Sequence, residues 1–170
     1  MTRKMWCHVI IGILVACGLT NCQKSKQAST IVTFKPGADI QMEVQEEFIL
    51  AEPETVIQFE AGIFEFTSGL SLDVDRVTLR GRGMDETILS FKHQEAGAEG
   101  LYITSDNVLV EDLAIEDTKG NGLKSYAANN IIIRRVRAEW TGGPKKTNGA
   151  YGIYPVSSKN VLVEGCIAIG

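Results

Sequence analysis

The residues best suited to chemistry gather in one stretch. Trp140, Tyr151 and Tyr154 carry flat apolar faces of the kind on which sugar rings stack, and Lys145, Lys146 and Asn148 between them supply polar contacts. Such a set suits a carbohydrate ligand held by ring faces and hydroxyls. The same aromatics can instead pack back onto the body of the protein and pin the segment, and the residue types alone do not separate the two. A second group is acidic. Asp112, Glu116 and Asp117 offer oxygen ligands of the type Ca²⁺ takes. A single repeat supplies all three, which favours a solvated corner over a metal site, and Asp73, Asp75 and Asp106 form a looser version. No other cofactor is implied. His93 has no strong nucleophile signature around it, and Cys166 reads as a buried apolar thiol.

The start of the chain bears on where these residues work. Arg3 and Lys4 precede the apolar run Met5 to Ala16. At about a dozen residues this run is too short for a permanent membrane helix and reads as an export signal. Its end, Leu14-Val15-Ala16-Cys17, resembles the lipobox of bacterial lipoprotein signals. That resemblance implies cleavage before Cys17 and a diacylglyceryl group on its sulfur, hence a stable membrane anchor. By the same resemblance, Gly18 after the cysteine implies sorting to the outer membrane. Residues 17–30 are polar and form a flexible tether, which leaves 31–170 as one domain with a real core. Loss of residues 1–16 removes two bases, so 15 bases face 21 acids for a net charge of −6. No basic stripe survives, which argues against nucleic acid as a partner. It also leaves His93 as the only histidine, and Cys166 as the only cysteine of the folded part, so there is no disulfide framework.

The elements that must position the candidate residues come from a repeat. Asn107-Val-Leu-Val110, Asn130-Ile-Ile-Ile133 and Asn160-Val-Leu-Val163 share one pattern, and Arg76-Val-Thr-Leu79 is a fourth copy. Their first residues lie 31, 23 and 30 positions apart. A shortest period of 23 with residues added to some copies predicts stacked coils of β-structure with loops at the corners. Val77, Val108, Ile131 and Val161 form one apolar column, and Leu79, Val110, Ile133 and Val163 another on the same face. The Asn itself suits a left-handed corner, where stacked Asn side chains form a ladder. One column alternates in sign: Arg80, Glu111, Arg134, Glu164. Parallel stacking turns these into attractive neighbours. Leu113, Val136 and Cys166 form a further apolar column. Before the repeats, Ile40, Val44 and Phe48 recur every four residues within 37–51, an amphipathic helix able to cover an open β-edge. Strands are expected at Val56–Phe59 and Ile63–Phe66. Two insertions explain the uneven spacing, Gly81 to Thr87 and the longer Glu139 to Gly152, and long loops on a rigid stack are where binding concentrates.

Three segments carry a family resemblance: Thr78-Leu-Arg-Gly-Arg-Gly-Met-Asp-Glu-Thr87, Glu111-Asp-Leu-Ala-Ile-Glu-Asp-Thr-Lys-Gly120 and Asn148-Gly-Ala-Tyr-Gly-Ile-Tyr-Pro-Val156. They resemble bacterial lipoproteins with right-handed parallel β-helix repeats, relatives of the pectate-lyase-like superfamily. The resemblance implies an all-β fold, a right-handed single-stranded parallel β-helix (a solenoid) with a short N-terminal capping helix. Enzymes of this kind act mainly on acidic polysaccharides, by elimination or epimerisation. Tyr151-Gly-Ile-Tyr-Pro-Val156 is similar to the Tyr-Gly-aromatic-Asp-Pro-His run of the alginate epimerases. Tyr151, Gly152 and Pro155 match, but Tyr154 stands where the Asp belongs and Val156 where the His belongs, so the acid–base pair is missing.

The expected protein is therefore a lipid-anchored β-helix of the bacterial cell envelope that binds or handles a polysaccharide. One alternative is a polysaccharide lyase or epimerase with catalytic residues beyond position 170. Another is a non-catalytic scaffold for an envelope partner protein. Because the last repeat stops without a cap, the sequence also leads one to expect either further coils or a partner over that end.

Overall fold

The computed structural model describes residues 29–38 and 40–170. The expected export signal, the expected lipidation site at Cys17 and nearly all of the expected tether lie outside the described residues. In chain order the elements are β1 (Ile31–Phe34), α1 (Ile40–Leu50), β2 (Val56–Phe59), β3 (Gly62–Glu65), β4 (Ser68–Leu72), β5 (Thr78–Arg80) and β6 (Thr87–Ser90). They continue with β7 (Ala96–Ile103), β8 (Val108–Glu116), β9 (Leu123–Tyr126), β10 (Asn129–Glu139), β11 (Ile153–Val156), β12 (Lys159–Glu164) and β13 (Ile167–Ile169). The protein is mostly β, its strands pair in parallel, and the described residues hold one helix.

Each strand is hydrogen-bonded to its counterpart one repeat further along. The first sheet runs β1-β2-β5-β8-β10-β12, with β3, β6 and β13 alongside; the second runs β4-β7-β9-β11. Partners Thr78↔Leu109, Leu109↔Ile132 and Ile132↔Leu162 reproduce the spacing read from the sequence. β8 and β10 are long because each bends midway, at Asp112 and Arg135, both with positive φ (59° and 48°). Their two halves therefore serve two rows, one with β5 and β12 and the other with β6 and β13.

Alternation along every strand sends one set of side chains inward, where like stacks on like. Ile57, Leu79, Val110, Ile133 and Val163 are register partners in succession, and the first four are fully buried. Phe64, Leu89, Ile115 and Ala138 form a parallel column, and Leu70, Leu101, Leu123 and Ile153 a third. Cys166 packs against this core half-buried, its Sγ 3.4 Å from the Ile133 carbonyl oxygen, and forms no disulfide among the described residues.

The corners follow the expected chemistry. Arg76, Asn107, Asn130 and Asn160 all adopt positive φ (59°, 59°, 60° and 51°), a region Asn enters at low cost. Asn130 Nδ2 donates to Asn107 Oδ1 at 2.8 Å, while Asn160 Nδ2 reaches Asn129 Oδ1 at the same distance, so the ladder steps sideways by one residue. The nearby aspartates are structural too. Asp75 accepts from the Asp106 N–H at 2.8 Å, Asp106 from the Asn129 N–H at 2.7 Å, and Asp73 from the Thr104 hydroxyl at 2.7 Å.

Helix α1 buries Ile40, Val44 and Phe48 as the four-residue spacing predicts. Its flank lies on β4, the edge of the second sheet. Gln41 Oε1 accepts from the N–H groups of Thr67 and Ser68, and Gln45 both accepts from and donates to the Ser71 backbone. Two glutamine side chains thus occupy edge groups that a neighbouring strand would otherwise seek. At the opposite edge Leu162, Val163, Ile167 and Ile169 are exposed. Among the described residues no helix is long and apolar enough to cross a membrane.

Candidate functional site

Three surfaces bring chemical groups together, and they differ in how far those groups are already used. The first is the outer face of the first sheet. The alternating column is realised as ion pairs: Arg80 Nε lies 2.7 Å from Glu111 Oε1, Arg134 Nη1 3.9 Å from Glu111 Oε2, and Arg134 Nε 3.0 Å from Glu164 Oε2. Glu111 is buried beneath its partners. Beside it Arg135 grips both oxygens of Asp112, at 2.6 and 2.7 Å. That charge-assisted pair holds the Asp112 carboxyl below the ordinary carboxylate range. Further along, Arg137 sits between Glu116 (2.9 Å) and Glu139 and donates to the Met84 carbonyl oxygen at 3.1 Å, which ties the 81–87 insertion to the sheet. Burial pushes the Glu116 carboxyl up, and Arg137 only partly offsets it.

The acidic cluster is divided among these pairings. Asp112 faces Arg135, Glu116 faces Arg137, and Asp117 accepts from the N–H and the hydroxyl of Thr141 at 2.8 and 2.7 Å. The three carboxylates point to three different partners. Among the described residues no three His, Cys, Asp or Glu side chains converge as metal ligands. His93 is exposed in a turn after β6.

The second surface is a cleft of about 290 Å³ at the corner where β8 and β10 end. Lys92, Lys119 and Lys145 line it with Asp117, Asn148 and one edge of Trp140. The long insertion folds over Trp140. The indole is 8% exposed and its Nε1 donates to the Thr118 carbonyl oxygen at 2.7 Å. A Cβ on Gly149 would fall 2.8 Å from Trp140 Cζ2 and nearer still to the Gly120 carbonyl, so the loop backbone approaches the ring as only glycine allows. Of the two roles open to Trp140, the buried ring and its bond to Thr118 match the one in which it pins the loop. Asn148 helps close the loop, Nδ2 donating to the Gly143 carbonyl oxygen at 3.0 Å. Lys146 is exposed and does not line the cleft.

The third surface is the outer face of the second sheet, and here the other two aromatic candidates lie. Tyr154 is on β11, and the Tyr151 ring stacks on it with centroids 4.2 Å apart and planes 19° from parallel; Tyr151 is 50% exposed. Register places Tyr154 beside Lys124, Lys124 beside Tyr102, and Tyr102 beside Ser71. Tyr126 points out from the same face two residues on from Lys124 and is half exposed. All four tyrosines of the chain therefore share one face. Lys124 Nζ lies 2.9 Å from Glu99 Oε1 and 5.4 Å from the centre of the Tyr102 ring. The Glu99 carboxylate accordingly holds the Lys124 ammonium above its ordinary range. Among the described residues no phenol hydroxyl is hydrogen-bonded to protein.

The predicted set thus divides. Lys145, Asn148 and the edge of Trp140 belong to the corner cleft, and Tyr151 and Tyr154 to the sheet face. Tyr102, Lys124, Tyr126 and Glu99 escaped the sequence reading because they sit in earlier repeats. A second motif marks them: Gly69-Leu-Ser71, Gly100-Leu-Tyr102, Gly122-Leu-Lys124 and Gly152-Ile-Tyr154. Its third column is the exposed strip. Its glycines stack so closely that a Cβ on Gly122 would fall 2.5 Å from the Gly152 carbonyl oxygen.

No family model matches the chain. No curated protein matches it either. Among solved structures, an alginate lyase from Paenibacillus sp. str. FPU-7 is similar with a TM-score of 0.49 and 14% sequence identity. The similarity covers 82% of this chain and 66% of the lyase chain, so this chain spans just under two thirds of that enzyme's length.

Proposed function

We propose that this chain is a polysaccharide-binding protein of the bacterial cell envelope, lipid-anchored at Cys17 and folded as a right-handed single-stranded parallel β-helix of the lipoprotein type described above. Uniformly parallel pairing between strands 22 to 31 residues apart supports the helical winding, since each strand meets the equivalent strand of the next repeat. The lipobox-like Leu14-Val15-Ala16-Cys17 supports the anchor. The observation that carries the binding role is the stacked pair of Tyr151, half exposed at the end of the longest insertion, and Tyr154, partly exposed on the strand β11 that follows it. Exposed aromatic faces with free hydroxyls meet both needs of a sugar ring, an apolar surface and hydrogen-bonding partners.

Retention on immobilised polysaccharides tests the role. The wild-type chain is expected to bind, and Tyr154→Ala to weaken binding about tenfold, in line with the roughly 1 kcal/mol or more carried by a buried aromatic contact. Unchanged retention in Tyr151→Ala and Tyr154→Ala together removes the role from this surface. Cys17→Ser is expected to move the protein from the membrane fraction to the soluble envelope fraction; continued membrane association without acylation contradicts the anchor.

A further inference from the structure

We infer that the outer face of the second sheet is a continuous strip for an uncharged, extended polysaccharide running across the strands, with Tyr102, Lys124 and Tyr154 as successive contacts. The inference rests on the polysaccharide reading above and specifies its ligand and its path. Parallel strands stack at about 4.8 Å, so Tyr102 and Tyr154, two strands apart, are separated by about 10 Å along the stack. That is the order of length of two sugar residues in an extended chain. A ring against the stacked Tyr151–Tyr154 pair and a ring two sugars away against Tyr102 leave the intervening sugar beside Lys124 and Glu99. The strip does not end at Tyr102. There it opens into a depression of about 160 Å³ bounded by Ser71, Gly97, Ala98, Glu99 and Tyr102. Gly97 (φ 79°) and Ala98 supply no bulk to close it, and the Glu99 carboxylate lies at its edge.

The charge arrangement selects the ligand. Lys124, the strip's cation, is already neutralised by Glu99 at 2.9 Å, and Asn121 Nδ2 reaches the same carboxylate at 3.5 Å. A uronate laid over this pair brings a second carboxylate against Glu99 with no free cation to meet it, which is unfavourable once water is excluded. Neutral hydroxyls suffer no such penalty. They accept from the remaining Lys124 N–H groups and donate to Glu99. Anionic polymers have a different place to go, the corner cleft with Lys92, Lys119 and Lys145.

The test is electrophoresis of the full chain through gels containing either hydroxyethyl cellulose, an uncharged polymer, or polygalacturonate, an anionic one. The expected result is retardation by the uncharged polymer that resists added salt, is weakened about tenfold by Tyr102→Ala, and survives Tyr102→Phe. Tyr102 was chosen because the polysaccharide reading itself stands on Tyr151 and Tyr154. Thermal unfolding of each variant confirms that it is folded. Retardation by the uncharged polymer that ignores Tyr102→Ala overturns the strip. Retardation by polygalacturonate alone, lost in Lys119→Glu with Lys145→Glu, overturns the uncharged ligand but leaves the polysaccharide reading standing. No retardation by either polymer removes both.

Discussion

The two outer faces of the stack are built on the same strand spacing and the same buried columns, yet they end in opposite chemistry. On the first sheet, arginines and carboxylates alternate from repeat to repeat and satisfy one another, with Glu111 and Arg137 drawn below the surface by their partners. On the second sheet the equivalent outward column is Ser71, Tyr102, Lys124 and Tyr154; Tyr151 stacks on Tyr154 and Lys124 lies over Tyr102, but the tyrosine hydroxyls have no protein hydrogen-bond partner among the described residues. A face whose groups are spent on each other holds the repeats in register. A face that keeps unpaired phenol hydroxyls and partly exposed rings is available to a ligand. The division of labour makes mutations on the two faces separable, stability on one side and affinity on the other.

The largest separation is expected at Arg137. Arg137→Ala leaves Glu116 and Glu139 close together under partial burial with no cation between them, and should cost about 3 kcal/mol or more of unfolding free energy, measured in urea. The deficit should shrink in acid. Without the arginine the folded-state carboxyl pKa rises further above its unfolded value, so stability is lost as pH rises through that range and regained as it falls. Affinity per folded molecule should not change. A loss of affinity at constant fold would break the separation.

Next in size is the converse. Tyr154→Ala should weaken polysaccharide binding about tenfold while changing stability by well under 1 kcal/mol, because the ring lies outside the core. If it unfolds the protein instead, the tyrosine face is structural and the comparison fails. A smaller effect is expected at the corner shared by both faces. Asn130→Ala leaves φ 60° to a residue without the polar side chain that eases Asn into left-handed backbone, and removes the bond to Asn107, for a cost of about 1–2 kcal/mol. Asn130→Gly restores the backbone but not the bond, so chemical unfolding of the two variants separates strain from ladder.

The smallest effect is a change in pH profile. Arg135 depresses the Asp112 carboxyl, so its contribution is present above the usual carboxylate range and is lost as pH falls through the lowered value. Asp112→Asn, which tolerates the same left-handed backbone, should flatten this acid limb by less than about 1 kcal/mol. Glu116, raised by burial, works in the other direction and weakens folding as pH rises through its range. Unfolding midpoints measured across the acid range distinguish the two.

Much of the scaffold was legible because stacking repeats the same physical demand. A corner needing positive φ selected Asn three times, and an interior column needing branched apolar residues selected Val, Ile and Leu in register. The alternating charges named their own partners, since only a parallel stack places Arg80, Glu111, Arg134 and Glu164 in contact. What the sequence left hidden depends on three-dimensional neighbours with no local signature. Trp140 offered an aromatic face by composition, but the loop that returns over it through Gly149 decides that the face is buried. Glu99 and Lys124 are 25 residues apart and become a pair only across a strand junction. Tyr102 and Tyr126 stood in repeats aligned on the Asn corner rather than on the glycine that precedes the second sheet, so their shared face went unseen.

The most direct measurement follows the aromatic side chains themselves. With ring-labelled tyrosine and tryptophan, NMR titration with a soluble uncharged oligosaccharide reads every candidate contact in one sample. The Tyr102 and Tyr154 ring signals should shift together and saturate at the same concentration, while the Trp140 indole N–H, held by the Thr118 carbonyl, stays in place. Movement of the Trp140 signal with the tyrosines at rest, or saturable binding that moves none of these rings, would contradict the assignment of the ligand to the second sheet.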